Sequence, residues 1–139
     1  MKATDQIKSN IFPKGDLAST DYFTGNAWIT MLVPNDPVLN TAVGNVVFEA
    51  GARNNWHTHP GGQILIVTQG TGYYQEEGKQ IQLLQAGDVV NIHPDIKHWH
   101  GAAPDSEFTH IAISTNTDKG IVDWLEPVTD EQYNSFKNN

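Results

Sequence analysis

The chain has 139 residues, enough for one domain with a real core and too few for two. It carries 8 Lys+Arg against 16 Asp+Glu, a formal charge of −8 that disfavours nucleic acid and anionic membranes as partners, and it has no cysteine, which excludes disulfides, thiolate metal sites and cysteine nucleophiles. Mean hydropathy is −0.43, no apolar run approaches the roughly 20 residues that span a bilayer, and the stretch Met1 to Asn10 lacks the apolar segment of a signal peptide, so the expected compartment is the cytoplasm.

In chain order, the segment before Ala27 is expected either to add an edge strand or to swap onto a neighbouring subunit. From Ala27 onward, short β-branched runs alternate with Gly, Pro, Asn and Asp at near-regular spacing. They predict strands at Ala27–Val33, Val43–Glu49, Asn55–His59, Gln63–Thr68, Gly72–Gln75, Lys79–Leu84, Val89–Ile92, His98–Ala102 and Thr109–Ser114. Turns are expected at Pro34–Pro37, Pro60–Gly62, Glu77–Gly78 and Ala86–Asp88. Many short strands at such intervals predict an all-β sandwich or barrel. One helix is expected, from about Asp130 to near the end, because Thr129-Asp130-Glu131-Gln132 fits a capping box.

Histidine is the informative residue. The six are His57, His59, His93, His98, His100 and His110, all inside the strand-rich region. Residues i and i+2 of a strand share a face, so His57 projects with His59 and His98 with His100. A single His-x-His pair is usually a solvated strand face. Two pairs beside glycine-rich turns point instead to imidazoles converging in a closed sheet, which is costly unless a cation satisfies them. Without thiols, that cation must be bound by nitrogen and oxygen. His93, beside Pro94, reads as a turn residue.

The spacing of the glycines and histidines carries a resemblance. Gly51, five residues, His57, one, His59, three, Gln63, six, Gly70 reproduces the first cupin motif, with Gln63 in place of the usual glutamate. The second motif opens at Gly87 and places His98 eleven residues on, with Pro94 between. The chain therefore resembles the cupin superfamily from about Asn45 to Ser114. Two positions depart from the pattern: Asp95 follows Pro94 where glycine is usual, and Ala102 stands in place of asparagine. The resemblance implies one cupin domain over residues 1–139, a double-stranded β-helix or jelly-roll-like barrel with its core at about 43–115 and a short C-terminal helix. It also implies one divalent metal held by His57, His59, Gln63 and His98.

A neutral glutamine at that corner leaves both charges of the cation uncompensated. Such a site is a stronger Lewis acid, welcomes anions and acidifies a bound hydroxyl, while the weaker amide ligand lowers affinity and selectivity for the metal. Four protein ligands around an octahedral ion leave two positions open, a catalytic form rather than a structural one. His100 and His110 are then the candidates for acid and base, since a buried histidine near a cation is neutral and able to accept a proton.

A narrower likeness follows. Trp56-His57-Thr58-His59-Pro60, Gly62-Gln63, Lys97-His98-Trp99-His100-Gly101-Ala102-Ala103-Pro104, Thr109-His110 and the tail Val122-Asp123-Trp124 look like the bacterial manganese-dependent cupin hydroxynitrile lyases. That resemblance implies Mn²⁺ as the metal, with Fe²⁺, Zn²⁺, Ni²⁺ or Co²⁺ as substitutes. It implies reversible cleavage of an (R)-cyanohydrin such as mandelonitrile to an aldehyde and hydrogen cyanide, with His110 or His100 taking the hydroxyl proton. Val46, Phe48, Leu65 and Trp99 are the candidate walls for the substrate's apolar substituent. Two other readings stay open: an Fe- or Mn-dependent oxygenase acting on a small aromatic or organic acid, and a non-catalytic cupin that binds a small ligand. In each case the partner is a small molecule, and exposed sheet edges favour a homodimer or larger homo-oligomer.

Overall fold

The computed structural model describes residues 11–137. Twelve strands, one 3-10 turn and one short α-helix follow in order: β1 Asp16–Leu17, β2 Phe23–Thr24, β3 Ala27–Asp36, β4 Thr41–Phe48, β5 Arg53–Asn54, β6 His57–Thr58, β7 Gln63–Glu76, β8 Gln82–Gln85, β9 Val89–Ile92, β10 His98–Ala102, β11 Phe108–Ser114, the 3-10 turn Thr117–Lys119, β12 Asp123–Trp124 and α1 Asp130–Tyr133. Every pairing is antiparallel. One sheet runs β1-β3-β4-β11-β7-β9. The other runs β8-β7-β10-β5-β2, with β6 on β10 and β12 on β6. Of the segment before Ala27, residues 11–26 fold back on their own chain and supply two edge strands, β1 and β2, while residues 1–10 lie outside the described residues.

β7 belongs to both sheets, and its middle explains how. Sequence reading expects two strands, Gln63–Thr68 and Gly72–Gln75, yet the chain runs unbroken through Gly70. Gly70 sits at φ +80°, and a Cβ there would run into the Glu107 carbonyl oxygen. Next to it the register slips: Thr109 faces Gln69 but His110 faces Val67, leaving Thr68 as an extra residue on β7. The slip changes which residues of β7 face inward. Past the bend these are Gly72, Tyr74 and Glu76; before it they are Gln63, Leu65 and Val67. Gln63 and His110 therefore reach the same interior.

The interior is filled by Val46, Phe48, Leu65, Val67, Tyr74, Leu84, Ile92 and Phe108. A second cluster, Trp56, Tyr73, Ile81, Trp99, Val128 and Tyr133, lies on the outer face of the second sheet, under the C-terminal segment. Strand alternation sorts the two: Tyr73 goes out and Tyr74 in, and Trp99 goes out while His98 and His100 go in. The capping box forms as expected, with Gln132 N–H donating to Thr129 Oγ1 (3.0 Å) and Thr129 N–H to Gln132 Oε1 (2.9 Å). The helix stops after one turn, at Tyr133. Its end is pinned by the Tyr133 hydroxyl donating to the Ala102 carbonyl (2.6 Å), and its start by Arg53 donating to Asp130 (2.8 Å).

Of the predicted strand Asn55–His59 only His57–Thr58 is strand, and a separate short strand precedes it at Arg53–Asn54. Arg53–Asn54 pairs with β10 and β2, whereas His57–Thr58 pairs with β10 and β12. Asp95, which stands where the cupin pattern has glycine, adopts φ +66°. The left-handed turn is kept, because aspartate tolerates that region better than most residues. Among the described residues, no helix is long and apolar enough to cross a membrane.

Candidate metal centre and cavity

Four imidazoles meet under the barrel mouth. β6 and β10 place His57 directly opposite His98. Ring centroids are 4.2 Å apart for His57 and His98, 4.9 Å for His57 and His59, 5.3 Å for His59 and His98, and 5.4 Å for His57 and His100. Gln63 opens β7 beside Ser114, to whose Oγ its Nε2 donates at 3.3 Å. All five side chains are buried.

Three of these rings are held in the same way. Nδ1 lies 2.8 Å from the Asn55 carbonyl in His57, 2.7 Å from the Ile121 carbonyl in His59, and 2.8 Å from the Ile96 carbonyl in His98. A carbonyl oxygen can only accept, so in the neutral ring Nδ1 carries the hydrogen and Nε2 the lone pair. The Nε2 atoms of His59 and His98 are buried with no hydrogen-bond partner, and so is Gln63 Oε1. A buried acceptor left unpaired costs about 1–3 kcal/mol. Three such acceptors from three segments, each oriented from behind, suit a divalent cation. Metal-bound histidines typically donate their other N–H in this manner.

His100 differs. One ring nitrogen each of His57, His98 and His100 lie within 4.8 Å of one another, so distance alone admits His100 to the group. Yet no backbone carbonyl anchors its ring. Its Nδ1 lies 3.0 Å from His110 Nε2, and Asn54 Nδ2 is 3.3 Å from each of its nitrogens. Asn54 is fixed in turn by accepting the His100 backbone N–H at 3.0 Å. His110 is fully enclosed, its ring 5.5 Å from Phe48 and 5.6 Å from Phe108, and its Nδ1 has no partner. His93 is exposed at its turn.

Burial is the first cause of lowered basicity in all five buried histidines. In His57 the neighbouring His98 and His59 add to it, and in His100 the neighbouring His110 and His57. His59 is lowered by burial, against the opposing pull of the Ile121 carbonyl and Gln63. The value falls to about 4 for His98 and to about 3 for His110. Near neutral pH the cluster is uncharged and has its lone pairs free.

Above it lies a cavity of about 310 Å³. His57, His59, Gln63, His100 and His110 line it, along with Phe23, Val46, Phe48 and Trp124. Of the four expected wall residues, Val46 and Phe48 stand in this lining. Leu65 packs in the interior core instead, and Trp99 points to the outer face, where its Nε1 donates to Gln75 Oε1 at 2.8 Å. Trp99 sits between His98 and His100 in β10, and alternation sends it away from them. Sequence reading did not single out Asn54 or Phe23. Neither belongs to a motif, and both enter the site through the β2–β5 pairing.

A Cupin domain model matches residues 44–114. The chain is 53% identical over 114 residues to a curated protein named (R)-mandelonitrile lyase from Granulicella tundricola, covering 81% of this chain and 86% of that one. A solved cupin-like protein from Thermotoga maritima superposes with a TM-score of 0.91 at 53% identity, covering 94% of this chain and 100% of the other. A DMSP lyase from Ruegeria pomeroyi shares the fold at a TM-score of 0.62 and 18% identity, over 81% of this chain and 58% of that one.

Proposed function

The chain belongs to the cupin family, and on that premise we propose that it is a metal-dependent hydroxynitrile lyase that cleaves (R)-cyanohydrins such as mandelonitrile, reversibly, to an aldehyde and hydrogen cyanide. The observation that carries this reading is the set of buried, unpartnered acceptors His59 Nε2, His98 Nε2 and Gln63 Oε1: His59 and Gln63 line a largely apolar cavity, and the His98 ring lies 5.3 Å from that of His59. The name of the 53%-identical relative supports the choice of substrate.

His57, His59, His98 and Gln63 would hold the metal. The shared Nδ1 anchoring favours His59 over His100 as the third imidazole. Mn²⁺ is the proposed ion, with Fe²⁺, Zn²⁺, Ni²⁺ or Co²⁺ able to replace it in an all-nitrogen and oxygen site. When bound, the cation supplies Lewis acidity, and neutral Gln63 leaves both its charges available to an oxyanion or to cyanide.

The remaining work falls to the chain's own residues. Apolar walls, Val46 and Phe48 among them, exclude water and seat the substituent. The His100–His110 pair takes the hydroxyl proton as a unit, since His100 Nδ1 and His110 Nε2 share one hydrogen across 3.0 Å. As that proton leaves, the O–H electrons form the carbonyl and the C–CN pair departs with cyanide. The same imidazolium returns the proton to give hydrogen cyanide. Low basicity keeps the pair neutral at the outset and quick to release what it takes.

A cytoplasmic homodimer or larger homo-oligomer completes the proposal. Its support is a half-exposed aliphatic patch on the outer face of the first sheet, where Ile111 faces Ile66 and Ile113 faces Ile64 across β11 and β7. The test of function is direct. Metal-loaded protein is expected to release benzaldehyde from (R)-mandelonitrile under nitrogen. Consumption of O₂ with substrate would indicate an oxygenase instead, and binding without turnover a carrier.

A further inference from the structure

One side of the cavity is aromatic, and most of it comes from outside the matched domain. Phe23 belongs to β2 and Trp124 to β12, whereas residues 44–114 supply Phe48. The three rings form a continuous arc. Phe23 lies 5.9 Å from Trp124 and 6.0 Å from Phe48, tilted at 59° and 42°. Both ends of the arc rest on the histidines: Trp124 is 4.8 Å from His57, and Phe48 is 6.0 Å from His100. All three residues line the cavity, whereas other lining residues such as Ile29, Val46 and Ala112 are aliphatic.

The arc is held from behind. Phe23 pairs with Asn54 across β2 and β5, and Trp124 pairs with His57 across β12 and β6. Tyr22 stacks on Trp124 at 4.8 Å and 12°. Tilted rings fixed in this way present edges and faces to a guest. An aryl group gains edge-to-face contacts there that a saturated ring of the same size cannot make.

We infer that Phe23, Trp124 and Phe48 form an aryl-recognition arc, with Phe23 as the residue that sets preference for an aryl over a saturated substituent. Among the described residues, Phe23 is the member whose ring contacts run to the other two rings and to no histidine. The inference rests on the lyase reading and narrows its substrates to cyanohydrins with an aryl group on the carbinol carbon.

The test compares kcat/KM for mandelonitrile and for its cyclohexyl counterpart, in metal-loaded wild type and Phe23→Leu. Leucine keeps apolar bulk and removes the ring. The aryl-to-cyclohexyl ratio is expected to fall about five-fold, the size of one lost aromatic pair. Calorimetric binding of benzyl alcohol against cyclohexylmethanol reads the same preference without turnover and is expected to shift alike. Unchanged ratios in an active enzyme overturn the arc. Failure of wild type to cleave either nitrile, together with a shifted binding ratio, overturns the lyase reading and upholds the arc. If Phe23→Leu does not fold by circular dichroism, Trp124→Leu is read by the same two ratios with its metal content measured alongside, and unchanged ratios there overturn the arc as well.

Discussion

A glutamine occupies the corner where cupins usually carry a glutamate, and the surrounding contacts fix how its amide is turned. Ser114 takes one end of the Gln63 amide and leaves Oε1 buried and unpaired. Glu at this position would add a negative charge. Gln63→Glu is therefore expected to bind metal more tightly, by ten-fold or more, and to lose most lyase activity because the cation's charge is partly cancelled. Competition with a chelator and a mandelonitrile assay check the two halves separately, and retained activity would defeat the charge argument. Behind His100, His110 is expected to matter for turnover and not for binding. His110→Ala should keep its metal and lose at least 100-fold in kcat, the usual worth of a general base. A variant stripped of metal would make His110 a ligand instead.

At the scale of the element, β7 is where the sequence was least legible. The histidine spacing identified the site because strand alternation is a local rule, and His57, His59, His98 and His100 obey it. The slip between Thr109 and His110 is not local. It lies at Thr68, next to the point where Gly70 meets Glu107, and no pattern within either strand records it. For the same reason Leu65 and Trp99 read as wall candidates: both neighbour motif residues, but one lies in the core and the other on the reverse face. Asp95 is the converse case, a departure from the motif that leaves the backbone turn intact. Gly70→Ala is expected to cost several kcal/mol, since it combines a positive φ with a steric clash. Asp95→Gly should stay within about 1 kcal/mol of wild type. Urea denaturation of both variants compares the two, and a mild Gly70→Ala would refute the crowded bend.

For the whole molecule, five buried neutral histidines make stability depend on pH. An imidazole's ordinary pKa of 6.5 applies in the unfolded chain, while in the fold His98 stays neutral to about pH 4 and His110 to about pH 3. Between those limits the unfolded state binds more protons, so stability is full above about pH 6.5 and falls as pH drops toward 3. His98 and His110 each cost as much as about 2 kcal/mol by pH 5. Metal-free protein is expected to show urea midpoints that decline steadily from pH 7 to pH 4, and a flat profile would mean that the rings are not held neutral.

The central claim is that His57, His59, Gln63 and His98, drawn from separate stretches of sequence, share one cation. Elemental analysis of protein purified without chelator tests it most directly. Close to one divalent ion per chain is expected for wild type, falling to near zero in His98→Ala while circular dichroism still reports the β-sheet. Wild-type metal content in His98→Ala, or no stoichiometric ion in the parent, would contradict the account.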